Sequence, residues 1–121
     1  MSQASELTNS IIHHIYQADG YAWRAESAGI FDDKIQRFRT APKKGVADVL
    51  GCYKGFLLAI EVKIGKDRLS FEQQGFLDNV NHYGGYGFVA KDMESFTEWF
   101  KGVKTKIDEI IKLSTPPRLH P

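Results

Sequence analysis

Apolar positions recur along this chain with two different periods, one typical of helices and one typical of strands. Helical spacing occurs in residues 4–17, in a segment that starts at Ser70, and in a segment that follows Asp92. Residues 21–25, 46–50, 57–64 and 86–90 are short apolar or alternating runs, which is typical of strands. The stretch 26–44 is predicted to be a long loop with a short extended piece at 35–39. This order of elements predicts an α/β domain with a central mixed sheet flanked by helices.

Charged residues interrupt the two central apolar runs, 46–50 and 57–64, which a turn around residues 53–55 would join as a hairpin. Asp48 lies in the first run, and Glu61 and Lys63 lie in the second. Because side chains alternate along a strand, Glu61 and Lys63 share a face, and Asp48 on the neighbouring strand would lie beside Glu61. Two adjacent carboxylates suit a hard divalent cation such as Mg²⁺. Alternatively, Glu61 and Lys63 neutralise each other on the solvated face of an ordinary strand, and spacing alone does not separate these interpretations.

Length and composition restrict the class of protein. With 121 residues, the chain is expected to form one domain over residues 1–113, followed by a proline-containing tail at 114–121 that we expect to be disordered. A single cysteine excludes an internal disulfide. No apolar run approaches the ~20 residues that span a bilayer, and residues 1–10 lack the pattern of a secretory signal. We therefore expect a cytoplasmic protein without membrane contact.

Basic residues are concentrated in one segment, although the net charge of the whole chain is only +1. Between residues 34 and 44 there are five basic residues and no acidic one. A local basic segment on a mildly acidic body could contact the phosphates of a nucleic acid. The alternative is an ordinary solvated loop. The five residues are Lys34, Arg37, Arg39, Lys43 and Lys44.

Three further polar residues each have a structural and a functional interpretation. Glu6, near the expected N-cap Ser5 of the first helix, either favours the positive helix end or faces a functional site. Arg24 is either a surface residue or a contact to DNA. Gln73 follows Ser70 at the spacing of a capping box, which ties its side chain to the helix start. We expect that one side chain cannot serve both the cap and a functional site fully.

These residues, taken in order, resemble a known signature. Asp48 followed by Glu61-Val62-Lys63 is similar to the motif of PD-(D/E)XK nucleases, with Ala47 in the place of the usual proline. From about Glu6 to about Val89 the chain resembles the small virus-type nuclease module VRR-NUC. The matching segments are Glu6, residues 21–24 (YAWR), 45–49 (GVADV), 60–63 (IEVK) and 68–70 (RLS), Gln73, and residues 84–85 (GG).

The resemblance implies a restriction-endonuclease-like core and Mg²⁺-dependent hydrolysis of phosphodiesters in DNA, with Mn²⁺ able to substitute. Asp48, Glu61 and the main-chain carbonyl of Val62 would hold the metal. Lys63 would orient or deprotonate the attacking water or stabilise the transition state. Glu6 and Gln73 would complete the catalytic site.

Stand-alone relatives of this module are viral or phage proteins that act as homodimers on branched DNA such as Holliday junctions. The resemblance therefore implies a homodimer that binds branched DNA. Two alternatives stay open: a non-catalytic DNA-binding module that retains the fold, and a nuclease that acts on flap or linear duplex DNA. The candidate DNA contacts are Arg24, Lys34, Arg37, Arg39, Lys43, Lys44, Lys66 and Arg68.

Overall fold

The computed structural model describes residues 1–25 and 43–114 in full, and the main chain of two short strands at 30–32 and 37–39. The elements, in chain order, are α1 (Gln3–Gln17), β1 (Tyr21–Arg24), β2 (Ile30–Asp32), β3 (Arg37–Arg39), β4 (Val49–Tyr53), β5 (Phe56–Val62), α2 (Phe71–His82), β6 (Tyr86–Ala90) and α3 (Met93–Ser114). Helix α3 thus includes Ser114, the first residue of the expected tail. Residues 115–121 lie outside the described part.

Four strands form a mixed sheet in the order β1-β4-β5-β6. The pairs β1/β4 and β4/β5 are antiparallel, and β5/β6 is parallel, with α2 providing the crossover between them. The predicted mixed sheet is therefore confirmed. Strands β2 and β3 form a separate antiparallel pair inside the segment predicted to be a loop. The predicted extended piece overlaps β3, whereas β2 was not predicted.

The predicted hairpin is formed by β4 and β5, although β4 lies later in the sequence than the predicted run 46–50. Strand β4 begins at Val49 and continues through Gly51, which the sequence pattern had placed beyond the strand end. The turn falls at Lys54-Gly55, within the predicted turn around residues 53–55, and both residues have positive φ, 48° and 88°. This combination twists a two-residue hairpin in the sense that the flanking strands require. Glycine at position 51 permits the close approach of β1, because a Cβ there would lie 2.8 Å from the main-chain oxygen of Tyr21.

The two faces of the sheet are covered by different helices. Helices α1 and α3 cover one face and enclose the larger core, in which Ile11, Phe96 and Phe100 are fully buried. Helix α2 covers the other face through a smaller cluster around Leu77 and Val80. Alternation along β5 places Leu58, Ile60 and Val62 in the larger core and Ala59 in the smaller cluster. The predicted division of β5 into two faces is confirmed.

The helix starts are fixed by side-chain caps. Ser2 is the N-cap of α1 and accepts a hydrogen bond at Oγ from the Ser5 main-chain N–H over 3.1 Å, so the prediction of Ser5 as the cap was wrong by one turn. Asp92 accepts from the Ser95 main-chain N–H over 2.7 Å, which confirms the predicted start of α3. Within residues 1–25 and 43–114, no helix is both long and apolar enough to cross a bilayer.

Candidate active site

Asp48 lies just before β4, at the point where three strands come together. Its Oδ2 atom accepts a hydrogen bond from the Val62 main-chain N–H over 2.8 Å. Its own carbonyl accepts from the Ala25 N–H over 2.9 Å, which ties it to the end of β1. The carboxylate is therefore fixed against the last residue of β5. The sequence pattern placed Asp48 inside a strand at 46–50, which was wrong by one residue, because β4 begins at Val49.

Glu61 is 2% exposed and, with Thr8, one of two buried polar residues in the described chain. Its Oε1 accepts a hydrogen bond from Gln73 Nε2 over 3.1 Å, and Lys63 Nζ lies 3.8 Å from the same oxygen. Its Oε2 is buried and has no hydrogen-bond partner among the described residues. A buried carboxylate oxygen without a donor is costly, because desolvation is not offset.

The environment of Glu61 favours the protonated form when no cation is bound. Burial is the largest cause, and the neighbouring Asp48 carboxyl acts in the same direction, so that the pKa of Glu61 is raised from 4.5 to about 8. The charge of Lys63 acts in the opposite direction but does not compensate. At neutral pH Glu61 therefore retains its proton, because a second negative charge beside Asp48 is unfavourable without a cation.

A divalent cation fits this arrangement, because it would replace that proton and give Glu61 Oε2 a partner. Oxygen donors of this kind suit Mg²⁺. The Val62 N–H points towards Asp48, and the carbonyl of a strand residue points to the same side as its own N–H, so this carbonyl is a third oxygen on that side. No group of three His, Cys, Asp or Glu side chains in the described chain is arranged to hold a metal.

Gln73 completes the helix cap and contacts Glu61 at the same time, although we expected that one side chain could not serve both fully. Its Oε1 accepts from the Ser70 main-chain N–H over 2.9 Å, while Ser70 Oγ accepts from the Gln73 N–H over 3.1 Å. Its Nε2 donates to Glu61. Because an amide has an acceptor at one end and donors at the other, the cap fixes which end faces Glu61. The capping box thus orients a side chain of the site.

The turn before Asp48 packs directly on the first turn of α2. Gly45 has φ of 78°, and a Cβ at this position would overlap the main-chain oxygen of Glu72 and lie 2.8 Å from the Gln73 nitrogen. Only glycine tolerates both the conformation and the approach. This contact holds the segment that leads to Asp48 beside the helix that carries Gln73.

Arg24 connects β1 to α1 at the same end of the sheet. Its Nη2 donates to Asn9 Oδ1 over 3.1 Å, and both side chains are exposed. The sequence interpretation did not single out Asn9, although its spacing of three residues from Glu6 places both on one helical face. Glu6 is exposed on the first turn of α1. Its predicted role stays a prediction.

Only some of the predicted DNA contacts lie among the residues that the structure describes. Lys43, Lys44, Lys66 and Arg68 are exposed on the turns that flank the site, as is Arg24 at the end of β1. Lys34 and the side chains of Arg37 and Arg39 lie outside the described residues. The structure therefore brings together Asp48, Glu61, Lys63 and Gln73, and exposed cations lie on the segments that lead into and out of the strands of the site.

Comparison with known proteins identifies a fold and no closer relationship. No protein-family profile and no curated protein matches the chain. The fold is similar to that of Hjc, a Holliday junction resolvase from the archaeal hyperthermophile Archaeoglobus fulgidus, with a TM-score of 0.51 and 22% sequence identity. The match covers 73% of this chain and 67% of the resolvase. The predicted α/β class with a restriction-endonuclease-like core is thereby confirmed, whereas the resemblance to the VRR-NUC module stays a prediction.

Proposed function

We propose that this protein is a metal-dependent endodeoxyribonuclease that cleaves branched DNA, such as Holliday junctions, as a homodimer. The observation that carries the proposal is the buried carboxyl of Glu61 beside Asp48, whose Oε2 has no partner among the described residues, with Lys63 Nζ 3.8 Å from its Oε1. Burying such a group is unfavourable for folding and is typical of functional sites. The fold similarity to a Holliday junction resolvase supports the choice of substrate.

Three oxygen donors of the chain would hold Mg²⁺, or Mn²⁺ in its place: the carboxylates of Asp48 and Glu61 and the carbonyl of Val62. When bound, the ion would acidify a water and neutralise charge on the phosphate. Asp48 is positioned for this role by the Val62 N–H, and Glu61 is oriented by the Gln73 amide. Both carboxylates are therefore preorganised, which limits the reorganisation needed when the substrate binds.

Lys63 is the candidate group for the attacking water. Its side chain is 15% exposed, and its Nζ lies 3.8 Å from Glu61 Oε1. There it can orient or deprotonate a water, or donate to the phosphate oxygens as negative charge develops on them. Removing one such preorganised group typically lowers the rate by about 10²–10³.

The exposed cations around the site would hold the DNA backbone. Arg24, Lys66 and Arg68 lie on segments that end next to the two carboxylates. Each phosphate contact contributes salt-dependent, sequence-independent affinity. This arrangement suits an enzyme that recognises the shape of its substrate.

A homodimer follows from the symmetry of the substrate. A four-way junction has a two-fold axis, and each chain contributes one site. Paired cuts therefore need two copies related by a two-fold axis. Sedimentation at micromolar concentration tests this part separately, and a particle of monomer mass would exclude it.

The function is tested by cleavage of labelled four-way junction, flap and linear duplex with Mg²⁺ or Mn²⁺. The parent protein is compared with Asp48→Ala and Lys63→Ala. The control variants are Asp78→Ala and Lys106→Ala, which remove the same charges from exposed positions on α2 and α3. We expect the parent and the controls to cut the junction and both site variants to lose at least 99% of the rate.

Other outcomes would redirect the assignment. Preferential cutting of flap or linear duplex would leave the nuclease but change its substrate. Equal inactivity of the parent and the site variants, with equal binding to DNA, would instead indicate a non-catalytic DNA-binding module.

A further inference from the structure

Phe71 is a large aromatic residue that the fold leaves in solvent. It is the first residue of α2 and is 91% exposed. Its neighbours Ser70 and Gln73 form the capping box, so the helix start does not depend on a side chain at position 71. An exposed phenyl ring contributes nothing to the core, and it becomes a candidate binding group where other apolar and charged side chains lie beside it.

The ring borders a cleft of about 270 Å³ between α2 and the turn that precedes Asp48. Lys43 and Lys44 line one side of this cleft, and Phe71 and Phe76 contribute aromatic surface. Gly75 lies one helical turn after Phe71 and leaves open space on the α2 side of the cleft, since a Cβ there would meet no atom within 4 Å. Neither lysine forms an ion pair with a carboxylate of residues 1–25 or 43–114.

The cleft is next to the candidate active site. Gly45 packs on the Glu72-Gln73 peptide and fixes the two lysines relative to α2. Asp48 is four positions after Lys44, which limits the distance between their Cα atoms to about 14 Å. Since successive nucleotides of a strand are about 3.4 Å apart along a duplex, this span corresponds to roughly four nucleotides.

We propose that the cleft binds one unpaired nucleotide of the DNA strand that the site cleaves, with its base stacked on Phe71 and its phosphate held by Lys43 and Lys44. The inference rests on the proposed nuclease function and names the feature of the substrate that is recognised. Aromatic rings bind bases by stacking, and neighbouring lysines bind the backbone. The exposed carboxylate of Glu72, on the α2 side of the same cleft, repels phosphate and confines the backbone to the lysine side.

This arrangement selects for branched DNA for a physical reason. Bases inside a duplex are already stacked on both sides, so placing one on Phe71 would require unstacking it at a cost of a few kcal/mol. At a branch point the stack is already interrupted, and that cost is reduced. The cleft therefore favours substrates with an unpaired or splayed nucleotide within about four nucleotides of the cut.

Binding in EDTA tests the cleft without any cleavage. The probe is a four-way junction, or a flap, that carries the fluorescent base 2-aminopurine at the branch, with a continuous duplex for comparison. We expect the parent to quench the probe by stacking and to bind the branched DNA more tightly than the duplex. Phe71→Ala and Phe71→Leu should abolish the quenching and weaken binding to branched DNA by roughly 5- to 150-fold. Phe71→Trp should retain both, because indole also stacks.

Two further variants test whether weaker DNA binding is caused by the loss of base stacking in the cleft or by the loss of exposed apolar surface in general. Leu113→Ala removes an apolar side chain that is 86% exposed on α3 and should change nothing. Gly75→Leu fills open space beside Phe71 on a helix, so it should preserve folding while lowering the affinity for branched DNA to that for duplex.

The outcomes distinguish the cleft from the nuclease proposal. Binding and quenching as described, without cleavage when Mg²⁺ is added, would keep the cleft and refute the nuclease. Unchanged quenching in Phe71→Ala, or an equal loss on duplex and branched DNA, would refute the cleft. Conversion of a dimer to a monomer by Phe71→Ala, seen in sedimentation, would also refute it, because the ring would then belong to a subunit interface.

Discussion

Replacing Glu61 with glutamine should stabilise the metal-free protein, and more so as the pH rises. Burial and Asp48 raise the pKa of Glu61 to about 8 in the folded state, against 4.5 when the chain is unfolded. The folded protein therefore binds this proton more tightly than the unfolded chain does. The stabilisation that the proton provides is complete below pH 4.5 and is lost as the pH rises to 8.

The size of the effect follows from the two pKa values. Each unit of difference corresponds to about 1.36 kcal/mol, so the loss reaches roughly 3 kcal/mol at pH 7 and roughly 5 kcal/mol above pH 8. This is a large share of the ~5–15 kcal/mol by which domains are stable. Glutamine cannot ionise, so Glu61→Gln should escape the loss.

The assay is urea unfolding in EDTA at pH 5 and pH 8.5, with Glu98→Gln as a control on the exposed surface of α3. Between parent and Glu61→Gln, the difference in the free energy of unfolding should be near zero at pH 5 and roughly 3–5 kcal/mol at pH 8.5. Added Mg²⁺ should restore stability at pH 8.5 to the parent and not to the variant. A difference that is independent of pH, or a parent that becomes more stable between pH 5 and pH 8.5, would refute the reasoning.

Three further predictions concern the residues around the carboxylates. Gln73→Ala and Ser70→Ala should each lower the free energy of unfolding by about 1 kcal/mol, because each breaks the capping box. Only Gln73→Ala should also slow cleavage, by about tenfold, because it alone removes the donor to Glu61. Gly45→Ala should destabilise the protein by about 2–5 kcal/mol in urea unfolding, through its positive φ and its overlap with α2. Arg24→Ala should lower the slope of log affinity against log salt by about 0.9 in binding titrations with junction DNA, if the guanidinium contacts one phosphate.

Each of these predictions would be contradicted by a specific result. Equal cleavage by Gln73→Ala and Ser70→Ala would mean that Gln73 is only a helix cap. A Gly45→Ala protein as stable as Gly75→Ala, whose Cβ meets open space, would show that the turn does not need glycine. If Arg24→Ala left the slope of log affinity against log salt unchanged, Arg24 would not contact a phosphate of the bound DNA.

The sequence determined the features that depend on local periodicity. Side chains alternate along any strand, so the pattern of 57–64 predicts that Glu61 lies opposite Leu58, Ile60 and Val62 wherever the strand packs. The order of helices and strands likewise predicts a mixed sheet between helices. The local pattern predicted a strand end wrongly at a glycine, because glycine occurs both in turns and inside strands where another chain segment approaches closely. Gly51 suggested the end of a strand, but it lies inside β4 because β1 approaches there closely.

Only the tertiary structure decided which polar groups lose water and which partners they gain. The burial of Glu61, and with it a pKa of about 8, depends on α2, whose Gln73 is twelve residues away in sequence. The hydrogen bond from the Val62 N–H to Asp48 depends on the register of β4 and β5. The exposure of Phe71 beside Lys43 and Lys44 depends on where the turn at Gly45 docks. Local periodicity is a property of the backbone, whereas desolvation is a property of everything that packs around a group, so the charge state of this site could be assigned only from the folded chain.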